Sequence, residues 1–231
     1  MPQLRLVTHA ELFPDTSVLP TFNSCAIEAV LHRIPGLADR YIYLNDDVIL
    51  GRPVVREDFF TADGGTVVYV EPWEGPRSLH RGHVVDRALA MARLRLAPKP
   101  FHTLAHAPRA FGRRRVEELW REWEPELRST LTHRFRSTDD FLLPVMYSNA
   151  LLALGRPHEP RLNVDGLTRT IRVGAPTDMA RLLAELEDQR PISVTFNDEV
   201  EDLRDGGWMW VLIRDFLGRR YPVASPFELA G

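Results

Sequence analysis

Tyr41-Ile42-Tyr43-Leu44-Asn45-Asp46-Asp47 is the stretch from which the fold can be read. Tyr41 to Leu44 are residue types that suit a pleated, half-buried surface, with Ile42 and Leu44 on one side. Three residues follow that a buried strand cannot comfortably carry, so Asn45, Asp46 and Asp47 belong at the strand's C-terminal end. The same order returns late in the chain, where Ile192-Ser193-Val194-Thr195-Phe196 reads as a strand and runs directly into Asn197-Asp198-Glu199. In open α/β sheets, ligands sit beyond the carboxyl ends of the strands. If these two strands are neighbours, oxygen ligands from both converge on one rim.

Working outward, Leu4-Arg5-Leu6-Val7 alternates like a half-buried strand, and Pro14 to Pro20 is a loop. Asn23 or Ser24 caps a helix with Glu28 in its first turns and Ile27, Val30 and Leu31 on one face, stopped by Pro35-Gly36. Thr66-Val67-Val68-Tyr69-Val70 is a strand ended by Pro72. Val84 to Leu96 reads as a helix with Arg87, Arg93 and Arg95 outward, and Pro98 to Phe111 as a loop. Val116, Leu119, Trp120 and Trp123 mark a helical stripe after Arg113-Arg114-Arg115, and Phe141 to Leu154 is largely apolar. Met179, Leu182, Leu183 and Leu186 give an i, i+3, i+4, i+7 match. Strands and helices alternate at both ends with a helical insert between, which predicts an α/β sheet carrying that insert. There are no internal repeats.

The 231 residues hold 29 Lys+Arg against 32 Asp+Glu, a formal charge of -3, which gives no overall electrostatic reason to bind nucleic acid. Cys25 is the single cysteine, so an intramolecular disulfide is impossible and a reducing compartment fits. The N-terminal residues carry no apolar signal core, and no run approaches the ~18 apolar residues of a membrane span, so the expected location is cytoplasmic. Walker glycine loops, GxGxxG, HExxH, GxSxG and CxxC patterns are absent, which removes the common nucleotidase, dehydrogenase and hydrolase signatures.

Two Asn-Asp pairs on one rim suit Mg²⁺ or Mn²⁺, hard cations that bind through one or two carboxylates plus substrate phosphates. Either pair alone is more simply a turn or helix cap. His102 and His106 flank a short loop segment, and Arg136 precedes a possible helix cap at Thr138 or Asp139. Histidine can move a proton and arginine can clamp phosphate, so with the acidic rim these are the parts of a phosphoryl-transfer site. Arg113-Arg114-Arg115 could attract an anionic polymer, but a solvated helix start is the simpler reading. Trp120, Trp123, Trp208 and Trp210 could stack on sugar rings, although at helical spacing tryptophan is more often core.

Leu19-Pro20-Thr21-Phe22-Asn23-Ser24, Ala26-Ile27-Glu28, His32-Arg33-Ile34-Pro35-Gly36-Leu37, Tyr43-Leu44-Asn45-Asp46-Asp47 and Asp58-Phe59-Phe60 closely resemble conserved region 2 of the Stealth family. These are sugar-1-phosphate transferases typified by bacterial capsular polysaccharide phosphotransferases and the animal lysosomal-enzyme N-acetylglucosamine-1-phosphotransferase. His106-Ala107-Pro108 and Phe135-Arg136-Ser137 resemble region 3. Thr195 to Glu199, with Tyr221-Pro222 and Ser225-Pro226-Phe227-Glu228, resembles region 4. The resemblance implies a Rossmann-like nucleotide-sugar fold in one partial domain: an α/β part over 1–75, a helical part over 76–160 and a second α/β part over 161–231. It also implies transfer of a hexose or N-acetylhexosamine 1-phosphate from a UDP-sugar to a saccharide hydroxyl, with release of UMP, in capsule or exopolysaccharide synthesis. His106, Arg136 and Asp46 would be catalytic, with His106 as base and Arg136 on the transferred phosphoryl group. Asn23, Ser24, Arg33 and Asn45 would hold substrate, and Asp47, Asn197 and Asp198 would hold Mg²⁺ or Mn²⁺.

The family's first conserved region has no counterpart here, so the opening strands are expected to be missing and an open sheet edge to need a partner chain or second copy. Peripheral membrane association fits the resemblance as well. Two other readings stay open. One is an inactive or incomplete binding subunit that needs a partner to hold nucleotide; the other is a glycosyltransferase that releases UDP.

Overall fold

Where the sequence predicts one strand before the acidic motif, the chain folds two around it. In the computed structural model, which describes residues 4–71, 103–153, 158–162, 167–173, 178–198 and 203–227, β1 (Arg40–Tyr43) ends before the motif and β2 (Val48–Leu50) follows it. A turn closed by Val48 N–H donating to the Asn45 carbonyl at 3.1 Å separates them.

Strand β1 pairs antiparallel with β5 (Arg109–Gly112), placing Tyr43 opposite Arg109 and Tyr41 opposite Phe111. β2 pairs antiparallel with β8 (Ser193–Asp198), Val48 opposite Thr195, and β8 lies parallel to β7 (Thr168–Val173). A third small sheet places β3 (Thr66–Glu71) between an antiparallel β4 (Thr103–Leu104) and a parallel β6 (His158–Leu162). The described residues therefore form a mixed α/β structure of small sheets and helices. Residues 41–44 and 192–196 are not neighbouring strands; β8 lies between β7 and β2, and β2 is on the far side of the motif. The motif still reaches β8, because Phe196 N–H donates to the Asp47 carbonyl at 3.2 Å.

The helices follow their sequence signals where an apolar face finds cover. Helix α2 (Ser24–Val30) is capped by the Asn23 side chain, which accepts from the Cys25 N–H at 3.0 Å. Its fully buried positions are Ala26, Ala29 and Val30, while Ile27 and Leu31 are only half-buried, so the packed face is rotated from the predicted one. Small residues let a neighbour approach closely: Trp120, on α3 (Arg113–Glu122), donates its indole N–H to the Ala29 carbonyl at 2.6 Å. Val116, Leu119, Trp120 and Trp123 are all buried, joining α4 (Glu124–Thr132) and α5 (Leu143–Ala153) around one core. A second core forms where α6 (Met179–Gln189) and α7 (Leu203–Arg220) cover β7 and β8, with Met179, Leu183, Leu186, Phe196, Ile213 and Phe216 inside. Burying each large apolar side chain stabilises by about 1.5–3 kcal/mol.

Two other expectations change. Leu4 to Val7 is not a strand, and Leu4 and Leu6 are 66% and 85% exposed; alternation makes a strand only when one face is covered. A short helix, α1 (His9–Leu12), follows instead, with Glu11 bonding back to Thr8. Pro98 to Phe111 is not wholly loop, since it includes β4 and the start of β5. On β1, Ile42 and Leu44 share one side as expected; it is the outer side, and Tyr41 and Tyr43 face the core. The helix expected over 84–96 and His102 lie outside the described residues. No helix among the described residues is long and apolar enough to cross a membrane.

His32 packs against Trp120 with ring centroids 5.7 Å apart. Burial, with the Arg33 and Arg113 charges adding to it, lowers its pKa from 6.5 to about 4. A folded-state value below the unfolded one means that this stabilisation is complete above about pH 6.5 and is lost as pH falls towards 4. In urea titrations across that window, His32→Leu is expected to lack a component of acid destabilisation on the order of 2 kcal/mol that the native chain shows.

Candidate active site

Strand β8 gathers the rim. Thr195, fully buried, donates its hydroxyl to the His106 carbonyl at 2.7 Å, and the next residue, Phe196, holds the Asp47 backbone. The two anchored segments bring His106 Nε2 and Asp47 Oδ1 to 3.4 Å, with side chains 27% and 25% exposed. A carboxylate facing one imidazole nitrogen favours the tautomer that carries its proton there. Asp46, the next residue back, is exposed, while Asn45 and Asn197 are half-buried. Asp198 closes β8 opposite Val173, and its side chain lies outside the described residues.

Beneath this rim lies a cluster that the sequence reading missed. Glu28 on α2 is 6% exposed and its carboxylate receives an N–H of Arg109 at 3.1 Å. Tyr43, directly across β1–β5 from Arg109, also hydrogen-bonds Glu28. Burial raises the Glu28 carboxyl above the usual carboxylate range, against the opposing pull of Arg109, the Tyr43 hydroxyl and the Arg136 charge. Burial and the Glu28 charge in turn push the Tyr43 hydroxyl upward, and the Asp46 charge adds to this. Glu28 thus joins the Arg136 side of the site to the acidic rim. The available sequence signal was a single charged residue inside Ser24-Cys25-Ala26-Ile27-Glu28-Ala29-Val30.

Arg136 sits on a loop fastened from below. Its Nε–H donates to the Ser24 hydroxyl at 3.0 Å. Asn23, wholly buried, donates its amide to Asp140 at 2.9 Å and to the His133 carbonyl at 3.3 Å. Asp140 meets His133 Nδ1 at 2.7 Å and accepts from Ser137 N–H at 2.8 Å, while Phe22 N–H donates to the Arg134 carbonyl at 2.8 Å. Asn23, expected to hold substrate, caps α2 with its side-chain carbonyl and braces the 133–140 loop with its amide group.

Arg33 is also placed elsewhere, over the Trp120 ring at 5.3 Å. The arginine run behaves as a helix start: Arg113 pairs with Asp39 at 3.0 Å, Arg115 contacts Glu118, and Arg114 is exposed. Trp120 and Trp123 are core residues, whereas Trp208 is 53% exposed. Among the described residues no group of three or more His, Cys, Asp or Glu side chains is arranged to hold a metal ion. Asp46 and Asp47 stand in the turn between β1 and β2, and Asn197 follows Phe196, the residue that holds the Asp47 backbone.

Asp140→Ala is expected to destabilise the chain by about 2–4 kcal/mol in chemical denaturation, because it strands the buried Asn23 amide and the Ser137 N–H. For Glu28 the net upward shift says that burial outweighs its partners, so the ion pair is a weak stabiliser. Glu28→Gln should therefore unfold within about 1 kcal/mol of the native chain, and Glu28→Ala, which leaves Arg109 without its partner, should cost about 2–4 kcal/mol.

Comparison with known proteins bears on this geometry. Residues 1–68 match the family model described as Stealth protein CR2, conserved region 2, and residues 105–149 match Stealth protein CR3, conserved region 3. The chain is 38% identical to the exopolysaccharide phosphotransferase SCO6023 of Streptomyces coelicolor, across 98% of this chain and 39% of that protein. It is 29% identical to the capsular polysaccharide phosphotransferase SacB of Neisseria meningitidis serogroup A, across 98% of this chain and 43% of SacB. It is 30% identical to the capsular polysaccharide phosphotransferase LcbA of Neisseria meningitidis, across 85% of this chain and 56% of LcbA. The chain thus spans less than two thirds of each of these relatives.

Proposed function

This chain belongs to the Stealth family, and from that membership and the geometry of its rim we propose that it transfers a sugar 1-phosphate. The donor is a UDP-hexose or UDP-N-acetylhexosamine, the acceptor a saccharide hydroxyl, and the product a phosphodiester of a capsule or exopolysaccharide, with UMP leaving. The observation that carries the reading is the meeting of Asp47 with His106 at 3.4 Å, both anchored to a strand that ends in Asn197-Asp198, in a chain whose relatives are named polysaccharide phosphotransferases. The parallel β7–β8 and β3–β6 pairs are of the kind a Rossmann-like nucleotide-sugar sheet is built from.

Asp47 orients His106 with the proton on Nε2, leaving Nδ1 to accept the proton of the acceptor hydroxyl. That oxygen attacks the phosphorus attached to the sugar, the bond from this phosphorus to the bridging oxygen breaks, and the electron pair leaves on UMP. Arg109, paired with Glu28, and Arg136, whose charge also acts on Glu28, supply fixed positive charge for the phosphoryl oxygens. Asp46, Asp47, Asn197 and Asp198 would hold a Mg²⁺ or Mn²⁺, which would neutralise diphosphate charge.

With a UDP-sugar, Mg²⁺ and a saccharide acceptor, the nucleotide released is the decisive readout. UMP means that phosphate travelled with the sugar, whereas UDP would overturn this reading in favour of a glycosyltransferase. His106→Ala is expected to lower kcat by about 10²–10⁴-fold, while calorimetry shows UDP-sugar affinity within a few-fold of native. Unchanged turnover would remove His106 from the proton transfer.

A further inference from the structure

Phe22 and Phe135 are large apolar side chains left in solvent, 61% and 64% exposed, yet they are ordered against each other. Their rings stack with centroids 5.5 Å apart and 17° between planes. Arg134 places its guanidinium 5.5 Å from the Phe22 centroid. The two rings come from segments more than a hundred residues apart, joined by the Phe22 N–H to Arg134 carbonyl bond and the buried Asn23–Asp140 contact. An exposed aromatic pair on so rigid a base exposes apolar area that burial would favour covering.

Its position narrows what covers it. Phe135 immediately precedes Arg136, and Phe22 lies two residues before Ser24, the hydroxyl that Arg136 bonds. The pair therefore borders the Arg136 side chain, which bonds Ser24 and whose charge reaches Glu28. We propose that Phe22 and Phe135 form the stacking platform for a pyranose ring of the acceptor saccharide, an inference that rests on the sugar-phosphate transfer reading above. A pyranose has an apolar C–H face and polar edges. With one Phe135 face against Phe22, the remaining face takes the C–H face of the sugar, whose hydroxyl edge then meets Arg134, Arg136 and Ser24. The donor diphosphate, by contrast, would be held through a divalent cation on the hard oxygens of the acidic rim, not by aromatic rings. The platform thus separates acceptor recognition from donor recognition, and a saccharide held one residue from Arg136 arrives beside the phosphoryl group that Arg136 binds.

The test is saturation-transfer NMR on the full chain with two probes, chitotetraose and maltotetraose, which share pyranose C–H faces and differ in their polar groups. The expected result is transfer to sugar ring protons with at least one probe, weakened about fivefold or more by Phe135→Ala and by Phe22→Ala, and retained by Phe135→Trp. Thermal midpoints of the variants serve as the check on folding, and both side chains are exposed enough that truncation should leave them folded. Binding of neither tetrasaccharide by the native chain, or equal binding by native and Phe135→Ala chains, overturns the platform. Nucleotide release is measured in parallel: saccharide binding lost with Phe135→Ala while the native chain releases UDP or no nucleotide overturns the transfer reading and leaves the platform standing.

Discussion

One edge of backbone at Thr195–Phe196 holds the candidate active site together. Its amide takes the Asp47 carbonyl and its neighbouring hydroxyl takes the His106 carbonyl. Asp47 and His106 lie far apart in sequence, and their approach to 3.4 Å depends on both being fixed to the same two residues of β8. Because the anchors are main-chain carbonyls, it is the side chains of Asp47 and His106 that face each other. Thr195 is fully buried, so its hydroxyl would be a destabilising group without that partner.

The site is built on buried polar groups, and those groups serve different ends. Asn23, Asp140 and His133 form a satisfied network that fixes the Arg136 loop against the start of α2. Glu28 is different: burial raises its carboxyl despite Arg109 and Tyr43, so its place in the fold is not explained by stability. What it does is align Tyr43 and Arg109, which face each other across β1–β5, and put negative charge near Arg136. Cys25, one turn earlier, is buried as well, and burial pushes its thiol up to about 12 and keeps it protonated.

Much of this site was legible in the sequence, but unevenly. His106, Arg136, Asp46 and Asp47 stand in motifs whose residue types suit phosphoryl transfer, and the structure sets His106 beside Asp47 and Arg136 beside Ser24. Glu28 and Arg109 were not legible, because an acidic residue in a helix and an arginine after a proline are ordinary on a surface. Only packing shows that Glu28 is nearly inaccessible. Asn23 shows a further side of this: a motif position can carry a structural task, here as a cap and a brace, that the sequence pattern does not announce.

The sequence by itself determined the local elements: the Asn23 cap of α2, the tryptophan-bearing stripe of α3, the i, i+3, i+4, i+7 face of α6, and the strands β1, β3 and β8. Those signals are periodic, and a period records which residues of one element share a face. Only the tertiary structure decided that β2 and not β1 lies beside β8, that Leu4 to Val7 finds no strand partner, and that Tyr41 and Tyr43 turn inward. Those outcomes depend on which distant surface covers a given face, and no period within a segment encodes its partner.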